Sequence, residues 1–513
     1  MKIRSKGSIL IITLFLTAMG IFYEGLFAQQ DVDSISIGKY QVISSKILKE
    51  ERRILIHLPR NYEKNVRKYP VFYMLYGNHM TTYFAQAVSI LDGLGPIARI
   101  PEMILIGIEN TDRYRDLLPE KSDGSATGIH NFLNFLKKEL IPYVEKNFRC
   151  KKYRMIMGPQ AGANFVFYTL FKDPQIFNAG IITNPFRWRG GRDLMMKQAK
   201  QVLMKNKEFN KTIFITYSDG DELEREGAKL VDNFFTFVQE RKPDNFNLYL
   251  NFKENWDEFS APLGIRLGLK SIFKNYPISP ENKIMNLDDL KKHYHSLSEE
   301  YGYDVEMPEH QLVVTYDILE DQRKTKEAME ILNYIMDKNP LSGNGLWRMA
   351  NLHQQNGNIP GAILNLEKMV KVIGSDSGMI KNRLNYFKKM VTSSAAYALE
   401  QEIAKSGLEQ AKKRYQIINM DAKLYFNERE LNSLGYRLFN KKQTDEALFI
   451  FKINMEKFPQ SANVYDSMGE VLFHLGKYEE SERNYQKSLE LNPKNTNAAK
   501  YLVEISKIKE KQK

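Results

Sequence analysis

Glycine at 435 recurs at 469, a small residue at 447 recurs at 481, an aromatic at 451 recurs at 485, and proline at 459 recurs at 493. Each pair is 34 residues apart, a period that encodes one helical hairpin per repeat. Such a hairpin cannot bury its apolar face alone, so it folds only by stacking on its neighbours. Glycine and the small residue mark where two helices approach closely. The aromatics are expected to fill the groove of the next hairpin, and proline ends the second helix. Ala328, Leu332 and Pro340 fit the same template, and Ala350, Gly357, Ala362 and Leu366 fit the following one. Four units are therefore expected at 309–342, 343–376, 428–461 and 462–495, with 377–427 helical but out of phase. A repeat array over 309–513 leaves most of a 513-residue chain to fold as something else.

That remainder has a different texture. Short β-branched and aromatic runs at Ile54–Leu58, Val71–Leu75, Met103–Ile108, Arg154–Met157, Thr212–Tyr217 and Asn247–Phe252 read as strands. Helical patterns alternate with them at Ile129–Asn147, Ala161–Phe171, Leu223–Glu240 and Gly264–Phe273. Apolar strands alternating with helices imply a mostly parallel sheet covered on both faces, with its functional edge at the strands' carboxyl ends. The α/β domain is placed at 29–278. A helical connector follows at 279–308, where Leu287, Leu290, Tyr294 and Leu297 form an apolar stripe expected to pack one half against the other.

The N-terminus has the pattern of an export signal. Lys2, Arg4 and Lys6 precede an apolar stretch from Ile9 to Phe22, and a small residue, Ala28, offers a cleavage point. Residues 1–28 are expected to be removed and the mature chain to be periplasmic or extracellular, with no membrane span. An uncleaved anchor is the alternative, since the apolar run is near the lower length limit for a span. No cysteine follows it, which excludes a lipoprotein anchor. The single cysteine, Cys150, excludes a disulfide framework and a multi-cysteine zinc site. No metal and no cofactor are expected. The formal charge of +12 is spread among acids, with one dense basic run at Lys507–Lys513, so no nucleic-acid role is expected.

The stretch Tyr153–Gly162, YRMIMGPQAG, sets a strand before Gly158-x-x-x-Gly162 and a helix after it, the layout of a nucleophile elbow. Around it lie ERRILIHLPRNY at 51–62, YPVFYMLYGN at 69–78, IGIENTDRYRDLLP at 106–119, FLKKELIPYVEKNFR at 135–149, Asn184-Pro185, and GLKSIF at 268–273. With these segments, residues 40–275 resemble the putative-esterase family of α/β-hydrolases, which includes esterase D-like and enterochelin esterase-like enzymes. The C-terminal period is that of the tetratricopeptide repeat. The fold class expected is thus an α/β-hydrolase domain followed by an all-α tetratricopeptide domain.

The resemblance implies a serine at the elbow, an acid after a later strand and a histidine before the last helix. The elbow position is Gln160, and the histidine position is Glu258. Independently of any alignment, the nucleophile–acid–histidine chain order finds no histidine between His130 and His293. Asp221 and Glu222 are the candidates for the acid, and are expected to be solvated loop charges. Backbone N–H groups of Asn78 and Ala161 are the candidate oxyanion donors. Tyr76 and Pro159 are further departures from the family pattern. Ser218 or Ser260 as displaced nucleophile, a Glu258 carboxylate pair, and His79 or His130 as substitute base are weaker rescues.

These residues predict a pseudoenzyme scaffold or adaptor. Its repeat groove would bind a protein or peptide through Arg429, Asn432, Tyr436, Asn463, Asp466 and Glu470, and its residual cleft has room for a small ligand. An ester hydrolase with a non-standard site, or a carbohydrate- or siderophore-binding module, are the alternatives.

Overall fold

The structure, a computed structural model, describes residues 36–60, 62–75, 80–121, 124–253, 260–278, 286–373, 378–420 and 423–511. The export segment expected at 1–28 lies outside the described residues. The chain divides into two compact units, residues 1–283 with 291–310, and residues 284–290 with 311–513.

The first unit is built on one sheet in the order β1-β2-β4-β3-β5-β6-β7-β8. The strands are β1 Lys39–Ser45, β2 Glu50–His57, β3 Tyr69–Leu75, β4 Ile104–Ile108, β5 Cys150–Pro159, β6 Ala179–Thr183, β7 Glu208–Ser218 and β8 Asp244–Lys253. Strands β3 to β8 are parallel, and β2 runs antiparallel to both β4 and β1. Every residue of β3, β4 and β6 is buried, as expected of strands covered on both faces. Helices 129–147, Ala161–Lys172, Arg192–Lys205 and Glu222–Arg241 close one face. Helices Met80–Leu94 and Ser260–Ile272 close the other. Tyr294, Leu297 and Tyr301 of helix Leu287–Tyr301 also join that second core, so residues 291–310 cluster with the α/β unit.

The sequence patterns miss β1 and β6. β6 reads AGIIT, and a glycine inside a short run argues against a strand. The reason for Gly180 is packing, since a Cβ there would lie 2.5 Å from the Leu170 side chain of the elbow helix.

The second unit is all helical. Helices Glu428–Asn440, Thr444–Lys457, Ala462–His474 and Tyr478–Leu491 make two hairpins, and helix Thr496–Lys511 follows them. A Cβ on Gly435 would lie 2.7 Å from the Phe451 ring, and one on Gly469 3.0 Å from Tyr485. The aromatic of each repeat therefore seats on the glycine of its own hairpin, and Tyr485 also stacks on Tyr501 of the following helix with ring centroids 5.2 Å apart, the onward packing that the spacing suggested. An antiparallel hairpin brings the middles of its own helices together first. The out-of-phase stretch is helix Gly378–Ser393 packed on Ile359–Ile373, then a hairpin of Ala395–Ser406 and Leu408–Met420 turning at Gly407 with φ 78°.

Candidate active site

β5 ends at Pro159, and helix Ala161–Lys172 begins one residue beyond Gln160. Gln160 has φ 52° and ψ −114°, a conformation costing a non-glycine residue about 1–3 kcal/mol. Its N–H donates to Thr183 O of β6 at 2.8 Å, and its carbonyl accepts from Asn164 N–H at 3.2 Å. A Cβ on Gly158 would lie 2.4 Å from backbone atoms of Gly162, so only glycine lets the helix leave the strand this sharply. Gly162 is less constrained, since a Cβ there would meet its nearest neighbours at an ordinary 3.5 Å. The turn that would raise a serine above the sheet is intact. What it raises is the half-buried carboxamide of Gln160. Ala161 N–H lies at the start of the helix, where backbone donors have no intrahelical acceptor. Asn78, Tyr76, His79 and Glu258 lie outside the described residues.

The acid corner follows β7. Asp221 caps helix Glu222–Arg241 by accepting from Glu224 N–H at 2.9 Å, and Arg187 pairs with it at 2.5 Å. Both contacts, the backbone N–H foremost, hold the Asp221 carboxyl below the usual carboxylate range. Asp221 is thus a cap and an ion-pair partner with its side chain 46% exposed, while Glu222 is exposed, as expected of solvated charges. The buried carboxylate of this corner is Glu224, 5% exposed, which the family comparison did not single out. Its oxygens accept from Asn184 Nδ2 at 3.1 Å, Ser218 Oγ at 2.9 Å, Gly220 N–H at 3.1 Å and Arg187 Nη1 at 2.5 Å. The signal that could have found it is local: Asp221-x-x-Glu224 is a capping-box spacing. Ser218, weighed as a displaced nucleophile, is fully buried and spends its proton on Glu224. Ser260, also fully buried, accepts from Lys253 Nζ at 3.0 Å.

The described histidines His57, His130 and His293 are placed elsewhere. His130 Nδ1 is 3.0 Å from the Tyr168 hydroxyl, eight residues beyond the elbow and about 12 Å along its helix. Burial pushes the Tyr168 phenol up to about 12, so that hydroxyl stays a donor. His57 Nε2 meets Asp92 at 3.0 Å, a histidine–carboxylate pair. However, β2 runs against the parallel strands, and His57 is in register with Leu105 at the start of β4. The pair is thus at the amino edge of the sheet, opposite the elbow. His293 faces Tyr276 O at 3.5 Å.

The stretch 110–116 is an architectural clamp. Arg52 and Asp116, both fully buried, pair directly, and Glu50 bridges Arg52 at 2.6 Å and Arg115 at 2.9 Å. Asp112 caps helix Arg113–Leu117. At the carboxyl edge, Asn110 is 6% exposed and both its amide atoms lack a hydrogen-bond partner among the described residues. Asn164 Nδ2 is buried and unpartnered likewise, while its Oδ1 accepts from Phe186 N–H at 2.7 Å. Among the described residues, no group of three or more His, Cys, Asp or Glu could hold a metal ion.

In the repeat unit, four of the six singled-out residues bond to neighbouring helices. Tyr436 donates to Glu470 at 2.7 Å, Asn463 Nδ2 to Glu428 at 3.0 Å, and Asp466 accepts from Asn495 and Asn497 at 2.9 and 3.0 Å. Tyr436 and Glu470 are one period apart, so the bond ties the first helices of successive hairpins. Arg429 is exposed, and Asn432 Oδ1 is buried without a partner among the described residues.

Comparison with known proteins agrees with this architecture. Residues 45–243 match the putative-esterase family model, and residues 462–495 the tetratricopeptide-repeat model. The chain is 26% identical over 137 residues to YbbA, an uncharacterized protein of Bacillus subtilis, across 25% of this chain and 53% of that protein. It thus spans about half the length of the curated relative it matches. An IroE-like serine hydrolase from Shewanella oneidensis superposes on 57% of this chain and 98% of its own, with TM-score 0.50 and 23% identity. An uncharacterised protein from Capnocytophaga ochracea covers 68% and 99%, with TM-score 0.47 and 15% identity. The first of these shows the α/β-hydrolase fold. An esterase-like domain followed by a tetratricopeptide repeat is therefore the organisation of the chain.

Proposed function

We propose that this esterase-like domain is catalytically silent, and that the chain is an exported scaffold or adaptor whose tetratricopeptide array engages a protein or peptide. The observation that carries the reading is the elbow residue: the strained turn presents Gln160, whose amide is no nucleophile. The acid corner supports it, because Arg187, Asn184 and Ser218 occupy the carboxylate oxygens that would orient a histidine. Loss of nucleophile and base together costs on the order of a millionfold in turnover, leaving at most a residue from binding and oxyanion donors. The basic-then-apolar start of the sequence supports export, and no described helix is long and apolar enough to cross a membrane. The repeats supply the binding surface, since stacked hairpins commonly present an extended face to another chain.

A second reading concerns the cleft itself. The Asn110 amide and the Asn164 Nδ2, without partners among the described residues at the sheet's carboxyl edge, favour a retained small-ligand site, of which a carbohydrate or siderophore is the candidate class. Hydrolysis of a short-chain chromogenic ester by the purified chain tests the main reading. The expected rate is that of buffer; saturable turnover well above it would overturn the proposal.

A further inference from the structure

β8 is the last strand of the sheet, ten residues long and, among the described residues, paired on one side only, to β7. Edge strands are ordinarily guarded against pairing by a mid-strand charge, a proline or a short length. Between Asp244 and Lys253 this strand has no charge and no proline. Residues 246–252 read Phe-Asn-Leu-Tyr-Leu-Asn-Phe, the same in both directions about Tyr249. The opposite edge strand β1, Lys-Tyr-Gln-Val-Ile-Ser-Ser, also has no mid-strand charge or proline but has no such symmetry.

The geometry points to β8 as a self-association edge, joined to β8 of a second copy of this chain by antiparallel pairing centred on Tyr249. A twofold axis normal to the sheet keeps each side chain on its own face, so directly opposed residues must differ by an even number. The palindrome meets that condition at every position. Phe246 opposes Phe252 of the second copy, Asn247 opposes Asn251, Leu248 opposes Leu250, and Tyr249 opposes itself. Cross-strand pairs of like apolar or amide groups are the favourable unit of sheet pairing, and the contact is isologous and closed. Phe246, Leu248 and Leu250 are only partly covered by the core on their face, Tyr249 is only partly covered on the other, and Phe252 is 50% exposed. A second strand would cover the flanks that the sheet leaves open.

Charge pairs at the two asparagine positions test both the dimer and its register, in sedimentation of the full-length chain over a concentration series at low salt. Asn247 is exposed and Asn251 is half-buried, its Nδ2 3.2 Å from Thr216 Oγ1. In the inferred register, Asn247→Lys with Asn251→Lys sets lysine against lysine twice, whereas Asn247→Lys with Asn251→Asp sets lysine against aspartate twice. The wild-type chain is expected to dimerise, and the Lys/Lys variant to dissociate about tenfold or more readily than the Lys/Asp variant. Both variants carry the same lysine at 247, so general damage from that change cancels. A wild-type chain that stays monomeric throughout, or two variants that dissociate alike, would overturn the inference.

Discussion

The elbow and the acid corner lie at the same edge of one sheet and depart from the family's catalytic pattern in different ways. At the elbow, the backbone is kept and only the side chain is wrong: Gln160 still holds φ 52°, fixed by Thr183 O and by the Gly158–Gly162 approach. At the acid corner, the side-chain chemistry is present but committed: Glu224 is buried, with its oxygens taken by Arg187, Asn184, Ser218 and Gly220. Backbone strain persists because packing enforces it, whether or not a nucleophile benefits. A carboxylate without a histidine must find other donors, because an unpaired buried charge is costly.

If packing alone holds the elbow, the largest effect should come from Gly158→Ala. Its Cβ would strike the backbone of Gly162, and a loss of about 3 kcal/mol or more in urea unfolding is expected. Gly162→Ala should instead be neutral or stabilising by up to about 1 kcal/mol, since alanine favours the helix and the Cβ has room. Equal losses at both positions would break the distinction between them. At the acid corner, Glu224→Ala should cost about 2–3 kcal/mol by leaving Arg187, Asn184 and Ser218 without their acceptor.

Asp221→Ala is expected to cost about 1 kcal/mol, the worth of a helix N-cap. Its pH dependence has a definite sign. The folded-state carboxyl of Asp221 titrates below its unfolded value, so its contribution is complete above the unfolded pKa and fades as pH falls through the folded one. The gap between wild type and variant, followed by thermal melts, should therefore close below about pH 4. Smallest is Tyr436→Phe, which removes the bond to Glu470 between successive hairpins and should cost about 0.5–1 kcal/mol. A larger loss there would make that bond a main support of the array.

The sequence made the architecture readable where packing writes directly into composition. Unbroken apolar runs gave β3, β4 and β7, and the 34-residue period gave the hairpins with their glycines and prolines. The elbow was legible because Gly158 has no steric alternative. β6 was not, because its glycine answers to Leu170, a contact between elements that no local pattern encodes. The local Asp221-x-x-Glu224 spacing could mark Glu224 as a helix-start residue but not as a buried hub, because its partners come from positions 184, 187 and 218, brought together only by the fold. The six repeat residues were found by periodicity, yet periodicity could not tell a groove position from a rung between helices, which Tyr436 and Glu470 form.

Intact-mass spectrometry after incubation with a serine-reactive fluorophosphonate tests the loss of nucleophilic chemistry most directly. The mass should remain that of the unmodified chain. Stoichiometric addition of one phosphonyl group, mapped to a single serine near the carboxyl edge of the sheet, would show a working nucleophile and contradict the account.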